Sequence, residues 1–221
     1  MIRHKVEQGE SITSIAFRYG FFPDTLWQHA DNAELRKLRT DGDILLPGDI
    51  VTVPPLRIRQ QDGETGKRHR FKRRGVPART RMQIFDENGP RASQNYVLSI
   101  DGRETTGSTD ADGVLEAFIP PDAVRGDLTI GPDRRVLTIL FGHLDPVTEI
   151  SGVQKRLNNL GFDCGEPDGQ MNDATVEALR RFQYRAGLET TGKIDDATRE
   201  ELRKVHDLRG ALPNASPASK S

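Results

Sequence analysis

The sequence predicts a multidomain α+β protein: a small βααβ domain, a central β-sandwich-like domain and a C-terminal three-helix domain. Three observations carry that prediction. Within residues 1–54, apolar residues at helical spacing are flanked by two strand patterns. Within 76–142, turn-forming residues interrupt short apolar strands every ~8–15 residues. Within 147–206, one turn-and-helix segment occurs twice. The implied parts are 1–55, a basic linker 56–75, a β spacer 76–146, a helical domain 147–206 and a disordered tail 207–221.

A chain of 221 residues holds one large domain or two to three small ones at about 100–200 residues each. Hydrophobic residues are 34% and charged residues 29%, and the mean hydropathy is -0.62. These are values from the polar side of soluble proteins. No stretch approaches the ~18 apolar residues of a membrane span. A net charge of -1 excludes a chain-wide polyelectrolyte binder. One cysteine, Cys164, excludes an intrachain disulfide framework and a thiolate zinc cage.

In the first block, Val6 lies in a strand pattern and Gly9-Glu10-Ser11 turns the chain. Ser11 is placed to cap a helix carrying Ile12, Ile15, Ala16 and Tyr19, and Gly20 fits the position just past its end. Pro23-Asp24 opens a second helix with Leu26 and Trp27. A polar stretch, Asn32 to Asp43, follows. Leu45-Leu46-Pro47-Gly48-Asp49 turns into a closing strand with Val51 and Val53. The predicted core is Val6, Ile12, Ile15, Ala16, Leu26, Leu46, Val51 and Val53. At helical spacing Trp27 reads as core rather than as a sugar platform.

This order of residues over 4–54 resembles the LysM domain. The likeness rests on Gly9-Glu10-Ser11-Ile12, Ile15-Ala16 before Tyr19-Gly20, Asn32, and Leu46-Pro47-Gly48-Asp49 before Val51-x-Val53-Pro54. It departs from the family in two places. His4 stands where Tyr is common, and the stretch with Arg36, Lys37, Arg39 and Asp41 is longer and more charged than usual. The resemblance implies a groove for N-acetylglucosamine chains between two loops, with Gly9, Glu10, Ser11, Ile12, Asn32 and Leu46 as glycan-binding residues. Glycine at position 9 would let the backbone approach a sugar closely.

Lys67-Arg68-His69-Arg70-Phe71-Lys72-Arg73-Arg74 is the basic run. Only Phe71 could stack on a base, so it reads as a solvated linker leading to a protected edge strand, not as a nucleic-acid site. The β segment holds Met82–Phe85, Tyr96–Ile100, Val114–Ile119, Leu128–Ile130 and Val136–Leu140 as strands. Asp101-Gly102 and Asp110 to Gly113 read as turns. Asp101, Asp110 and Asp112 lack the closing Glu and the oxygen count of a calcium loop. The segment is similar to the transthyretin-like or immunoglobulin-like modules that space bacterial surface domains.

In the last block, Val153, Leu157 and Leu160 line one helical face. Gly169-Gln170-Met171-Asn172-Asp173-Ala174-Thr175 is echoed by Gly192-Lys193-Ile194-Asp195-Asp196-Ala197-Thr198. In each copy Gly turns the chain and Asn172 or Asp195 offers a capping oxygen. Phe162, Phe182 and Leu188 read as core. Val153-Gln154-x-x-Leu157, Leu160-Gly161-Phe162, Asp168-Gly169, Phe182-Gln183, Gly187-Leu188 and Thr191-Gly192 resemble the three-helix peptidoglycan-binding domain found beside many cell-wall hydrolases. Met171-Asn172 departs from the usual Phe-Gly. The likeness implies glycan contacts, for which Asp168, Asn172, Gln183 and Thr191 are the candidates.

The five histidines fall in different blocks, and no pair has the spacing of a zinc helix. Cys164 lies between Asp163 and Glu166, which disfavour a thiolate. The reading is therefore a non-catalytic binder of peptidoglycan glycan strands, with no metal and no cofactor. Two other roles stay open at this point: an accessory or cargo adaptor of a contractile injection or type VI secretion apparatus, partnered by a phage-tail-like spike, and a targeting subunit for a separate wall hydrolase. Met1-Ile2-Arg3-His4-Lys5-Val6 lacks the apolar core of a secretory signal. The expectation is synthesis in the cytoplasm and delivery to the wall by another route.

Overall fold

The computed structural model describes residues 1–56, 62–68, 78–86 and 89–208. The basic run lies outside the described residues apart from Lys67 and Arg68, as does the tail beyond Leu208. The chain divides into two compact units, Met1–His143 and Leu144–Ser221.

The first unit begins with β1 (Ile2–Lys5), paired antiparallel with β2 (Ile50–Val53) so that Ile2 faces Val53 and Lys5 faces Ile50. Between them run α1 (Ile12–Tyr19), α2 (Pro23–Trp27), a 3-10 turn at Ala30–Asn32 and α3 (Ala33–Leu38). The start of α1 is set by a reciprocal cap. Ser14 N–H donates to Ser11 Oγ, and Ser11 N–H donates to Ser14 Oγ. Gly20 closes the helix in the left-handed conformation. Seven of the expected core residues are buried, from Val6 to Val53. Leu46 is not: Leu45 takes the inward position, and Leu46 is half-buried with its N–H donated to Asp49 Oδ2 at 2.9 Å.

The stretch Asn32–Asp43 also differs from expectation, because it contains α3. That helix was hard to read because Leu35 is its one buried side chain, while Leu38 is exposed and Arg36 and Lys37 are charged. The charges have local uses. Arg36 Nη1 donates to the carbonyls of Trp27 and His29, tying α3 to the end of α2. Arg39 is buried and holds Asp49 through two nitrogens, at 2.9 and 3.1 Å. Such a fork-to-fork pair is the geometry in which arginine binds carboxylate best.

The β region of the same unit comprises β3 (Ala78–Gln83), β4 (Phe85–Asp86), β5 (Gly89–Pro90), β6 (Asn95–Ile100), β7 (Arg103–Ser108), β8 (Val114–Ile119), β9 (Arg125–Ile130) and β10 (Arg135–Leu140). A four-stranded antiparallel sheet has the order β10-β9-β6-β7, and β3 pairs with β8. Leu98, Ile100, Leu128 and Ile130 from the sheet share one core with Leu115 and Ala117 of β8. The strand β7, Arg-Glu-Thr-Thr-Gly-Ser, was not predicted, since it has no apolar residue. It forms because Asp101 and Gly102 both have positive φ, 49 and 74, which is the two-residue hairpin turn whose twist matches its strands. The other Asp-Gly turn is structural as well. Asp110 Oδ1 accepts the N–H groups of Asp112 and Val114 at 2.9 and 2.8 Å.

The second unit packs α4 (Ile150–Asn159), α5 (Asp173–Ala186) and α6 (Asp196–Leu202), followed by a π-helical turn at Arg203–Asp207. Its core is Val153, Leu157, Phe162, Cys164, Ala178, Leu179, Phe182, Ala186 and Leu202. Phe162 and Phe182 meet edge to face with centroids 5.6 Å apart, the arrangement favoured by ring quadrupoles.

Candidate functional site

The doubled segment of the second unit folds into two copies of one device. In the first, Gln154 of α4 is fully buried. Its Oε1 accepts Gly169 N–H at 2.8 Å, and its Nε2 reaches Asp168 Oδ1, Gln170 O and Thr175 Oγ1 at 3.0–3.1 Å. In the second, Gln183 of α5 is also fully buried. Its Oε1 accepts Gly192 N–H at 2.8 Å, and its Nε2 reaches Thr191 Oγ1, Lys193 O and Thr198 Oγ1 at 2.9–3.2 Å. Each glutamine thus pins a turn to the helix that follows. The caps match too: Asn172 Oδ1 accepts Thr175 N–H, and Asp195 Oδ1 accepts Thr198 N–H, both at 2.8 Å.

Of the four candidates here, Asp168 and Asn172 are exposed, Thr191 is half-buried and Gln183 is closed to solvent. The Gln170 N–H and the Gln154 amide hold the Asp168 carboxyl below its ordinary value, so it presents a negative charge. Gln183 orients Thr191 from beneath. Gln154 has the same task for Asp168, and the sequence reading did not give it that role. The signal was present in the echo of the two turns, since a repeated turn asks for a repeated support.

In the N-terminal block the structure brings the two candidate loops together. Ile12 N–H donates to Gly42 O at 2.9 Å and Thr13 N–H to Asp43 Oδ1 at 3.4 Å. Asn32 is buried. It donates to Leu26 O and Thr52 O and accepts Thr52 N–H at 2.7 Å, stitching the end of α2 to β2. Ile12 is core, and Ser11 is the cap of α1. Glu10 is buried with its Oε2 at 2.7 Å from His4 Nε2 and 2.9 Å from the Glu7 N–H, and its Oε1 at 2.6 Å from Arg18 Nη1. Burial pushes this carboxyl up, but the Glu7 N–H, His4 and Arg18 outweigh it and hold it below the ordinary value. His4 meets Tyr19 edge to face, with ring centroids 5.6 Å apart.

Gly9 has a neighbour that the sequence did not suggest. A Cβ at Gly142 would stand 2.3 Å from Gly9 O, and one at Gly9 would stand 3.0 Å from His143 Cε1. The two glycine backbones therefore lie against each other inside the first unit, at the end of the β region. The close approach that Gly9 permits is occupied by protein.

Chemistry-bearing groups elsewhere are held in structural roles. Cys164 is fully buried, with Sγ 3.1 Å from Asn158 Oδ1. Burial first, and then the charge of Asp163, push its thiol up, away from a nucleophilic thiolate. Among the described residues no cluster of three or more His, Cys, Asp or Glu could hold a metal ion. No described helix is long and apolar enough to cross a membrane. Arg156, almost fully buried, donates to Asp207 through Nε and Nη2 at 3.0 and 2.9 Å and to the carbonyls of Asp145 and Gly152. Sequence reading could not find this pair, since its partners lie 51 positions apart.

Three helices around one core, with two glutamine-pinned turns, define the second unit as a small three-helix module. Residues 147–202 match the family model described as a putative peptidoglycan binding domain, and the chain carries that domain there. No curated protein matches the chain, and no solved structure matches it.

Proposed function

We propose that this protein binds peptidoglycan without cleaving it, holding the wall through its second unit. The observation that carries the reading is the match of residues 147–202 to the peptidoglycan-binding family. The polar groups that reach solvent at the pinned turns, exposed Asp168 and Asn172 and half-buried Thr191, are the proposed glycan contacts. Their positions are fixed before a ligand arrives, so little ordering entropy opposes binding.

The N-terminal block is proposed as a second, LysM-like contact for N-acetylglucosamine chains. Its β1–α1 turn and its Gly42–Leu46 loop would form the groove. The Gly9–Gly142 contact limits that groove to the side away from the β region. Two weak sites on one chain raise avidity by ~10²–10⁴ when both can engage.

The test is sedimentation of the full chain with purified, insoluble sacculi. The expected result is co-sedimentation without release of soluble fragments. A chain that stays in the supernatant, or one that liberates muropeptides, rejects the reading. A role as adaptor of a contractile injection apparatus, or as targeting subunit of a hydrolase, adds a protein partner to the same wall contact. Co-purification of a spike component or of a hydrolase with the sedimented chain distinguishes them.

A further inference from the structure

The four-stranded sheet ends in two edges, β7 and β10, and they are built differently. In β7, Arg103 stands opposite Ile100, which faces the core. Directly opposed residues share a face, so a charge lies on the core-facing side of that strand. Inward charges are a device by which sheet edges resist a further strand. The sequence of β10, Arg-Val-Leu-Thr-Ile-Leu, has no charge after Arg135, no proline and no glycine. On its open face Val136 and Leu140 are 60% and 54% exposed. On its other face Leu137 and Ile139 pack against the core. An unguarded apolar edge of this kind is a template for strand pairing.

Two hydrogen bonds fix the direction of the backbone groups along that edge. Gly131 N–H donates to Asn95 O at 2.9 Å, toward β6. Backbone groups alternate in direction along a strand, so those of Thr129 and Asp127 also turn to β6. Those of Ile130, Leu128 and Gly126 turn to β10, where their opposite residues are Arg135, Leu137 and Ile139. Phe141 N–H, donated to Val124 O at 2.8 Å, keeps the same phase. The N–H and C=O groups of Val136, Thr138 and Leu140 therefore point out of the sheet. Among the described residues no turn, loop or further strand bonds to them.

We propose that β10 pairs antiparallel with β10 of a second copy of this chain, about a two-fold axis at Thr138. Opposed residues share a face, so even positions must meet even positions. With the axis at Thr138, Thr138 opposes its own copy, and Val136 opposes Leu140 on either side. Every outward backbone group then has a partner, since each opposed pair exchanges both of its N–H to carbonyl bonds. A shift by two residues in either direction leaves one outward residue of each strand without an opposite number in β10. The same register lays Val136 against Leu140 on the open face and Leu137 against Ile139 on the core face. The contact is self-complementary, as a two-fold interface must be. It has six residues a side, against about 20–30 in a standard stable interface, so the dimer is weak and depends on concentration. The proposal rests on the sheet alone and is independent of the wall reading.

Sedimentation equilibrium of the full chain from about 10 µM to about 1 mM tests it, with a monomer–dimer Kd on the order of 0.1 mM expected. Thr138→Pro removes an outward donor at the axis and spares the β9 ladder, because proline is tolerated where an edge N–H faces away from the sheet. The two hydrogen bonds lost at the axis should weaken the dimer by about tenfold or more. Val136→Lys and Leu140→Glu each set a charge against an apolar side chain of the other copy, and each alone should weaken it too. Mixed in equal amounts, these two variants should associate more tightly than either does by itself. The introduced lysine then meets the introduced glutamate, and the second pair stays Leu140 with Val136. A melt followed by Trp27 fluorescence checks that each variant folds. A chain that stays monomeric throughout the range overturns the proposal. So does a dimer that all three substitutions leave unchanged, since its contact lies elsewhere. A mixture that gains nothing rejects the register, and a mass that grows beyond the dimer rejects the two-fold axis.

Discussion

Asp207 shows how much one carboxylate can carry. Burial raises its pKa, but the His206 and Arg156 contacts outweigh that and hold it below the ordinary value of 3.8. A group depressed on folding adds stability above its unfolded value and loses it as pH falls through the folded one. The second unit should therefore soften below about pH 4, and Asp207→Asn should remove that part of the acid dependence. At neutral pH Asp207→Asn leaves the Arg156 guanidinium buried without its counter-charge. A loss of about 3 kcal/mol is expected, toward the lower end for broken buried pairs because Asp207 is partly exposed. Urea unfolding at pH 7 and pH 3.5 measures both effects. Cys164 gives a second residue-scale check. Its buried, raised thiol should resist iodoacetamide in the native chain and react when urea opens the core, so prompt native alkylation would contradict the packing described above.

At the scale of elements, the pinned turns can be tested against each other. Gln154→Met and Gln183→Met each remove the acceptor for a turn N–H, of Gly169 or Gly192. Each should cost about 1–3 kcal/mol, the range for a buried donor left unsatisfied. Asn172→Ala removes only a cap and should cost about 1 kcal/mol. Chemical denaturation of the three variants ranks them, and equal losses would refute the assignment of the glutamines. These turns were legible in the sequence because each is local: a glycine, a cap and an apolar anchor in a few residues. The helix α1 was legible for the same reason. By contrast, β7 has no hydrophobic signature and is fixed by its turn and by pairing to β6. Leu45 and Leu46 are both apolar, and the sequence does not distinguish which joins the core; in the fold it is Leu45. Of the candidate site, the sequence revealed which residues cluster at turns. It could not show which side chains the fold would consume, as with Asn32, Glu10 and Gln183, because their partners come from other elements.

For the whole molecule, the N-terminal block and the β region belong to one compact unit, and Gly142 lies at their contact. The only tryptophan, Trp27, packs against the N-terminal core, so its fluorescence reports the first unit alone. Gly142→Val forces a side chain onto the Gly9 carbonyl and into a positive φ of 69, which a β-branched residue resists. The Trp27 melt should shift downward by several degrees, as a loss of one or more kcal/mol requires. The unfolding of the second unit, followed by Cys164 reactivity, should stay where it was. A parallel shift in both signals would mean that the units unfold together.

The buried Arg156 also has a consequence for how such a module could pass between proteins. Its recognisable pattern ends at residue 202, but the counter-ion for Arg156 comes from the last turn, Arg203–Asp207. A gene segment copied at the edge of the pattern would deliver a cation sealed inside a bundle with nothing to neutralise it. A segment extended by that one turn would arrive with its charges matched. The heritable piece is therefore longer than the pattern by which it is recognised. Recombination that moves this module intact must join its new neighbour beyond Asp207, in chain that no sequence signature marks as belonging to it.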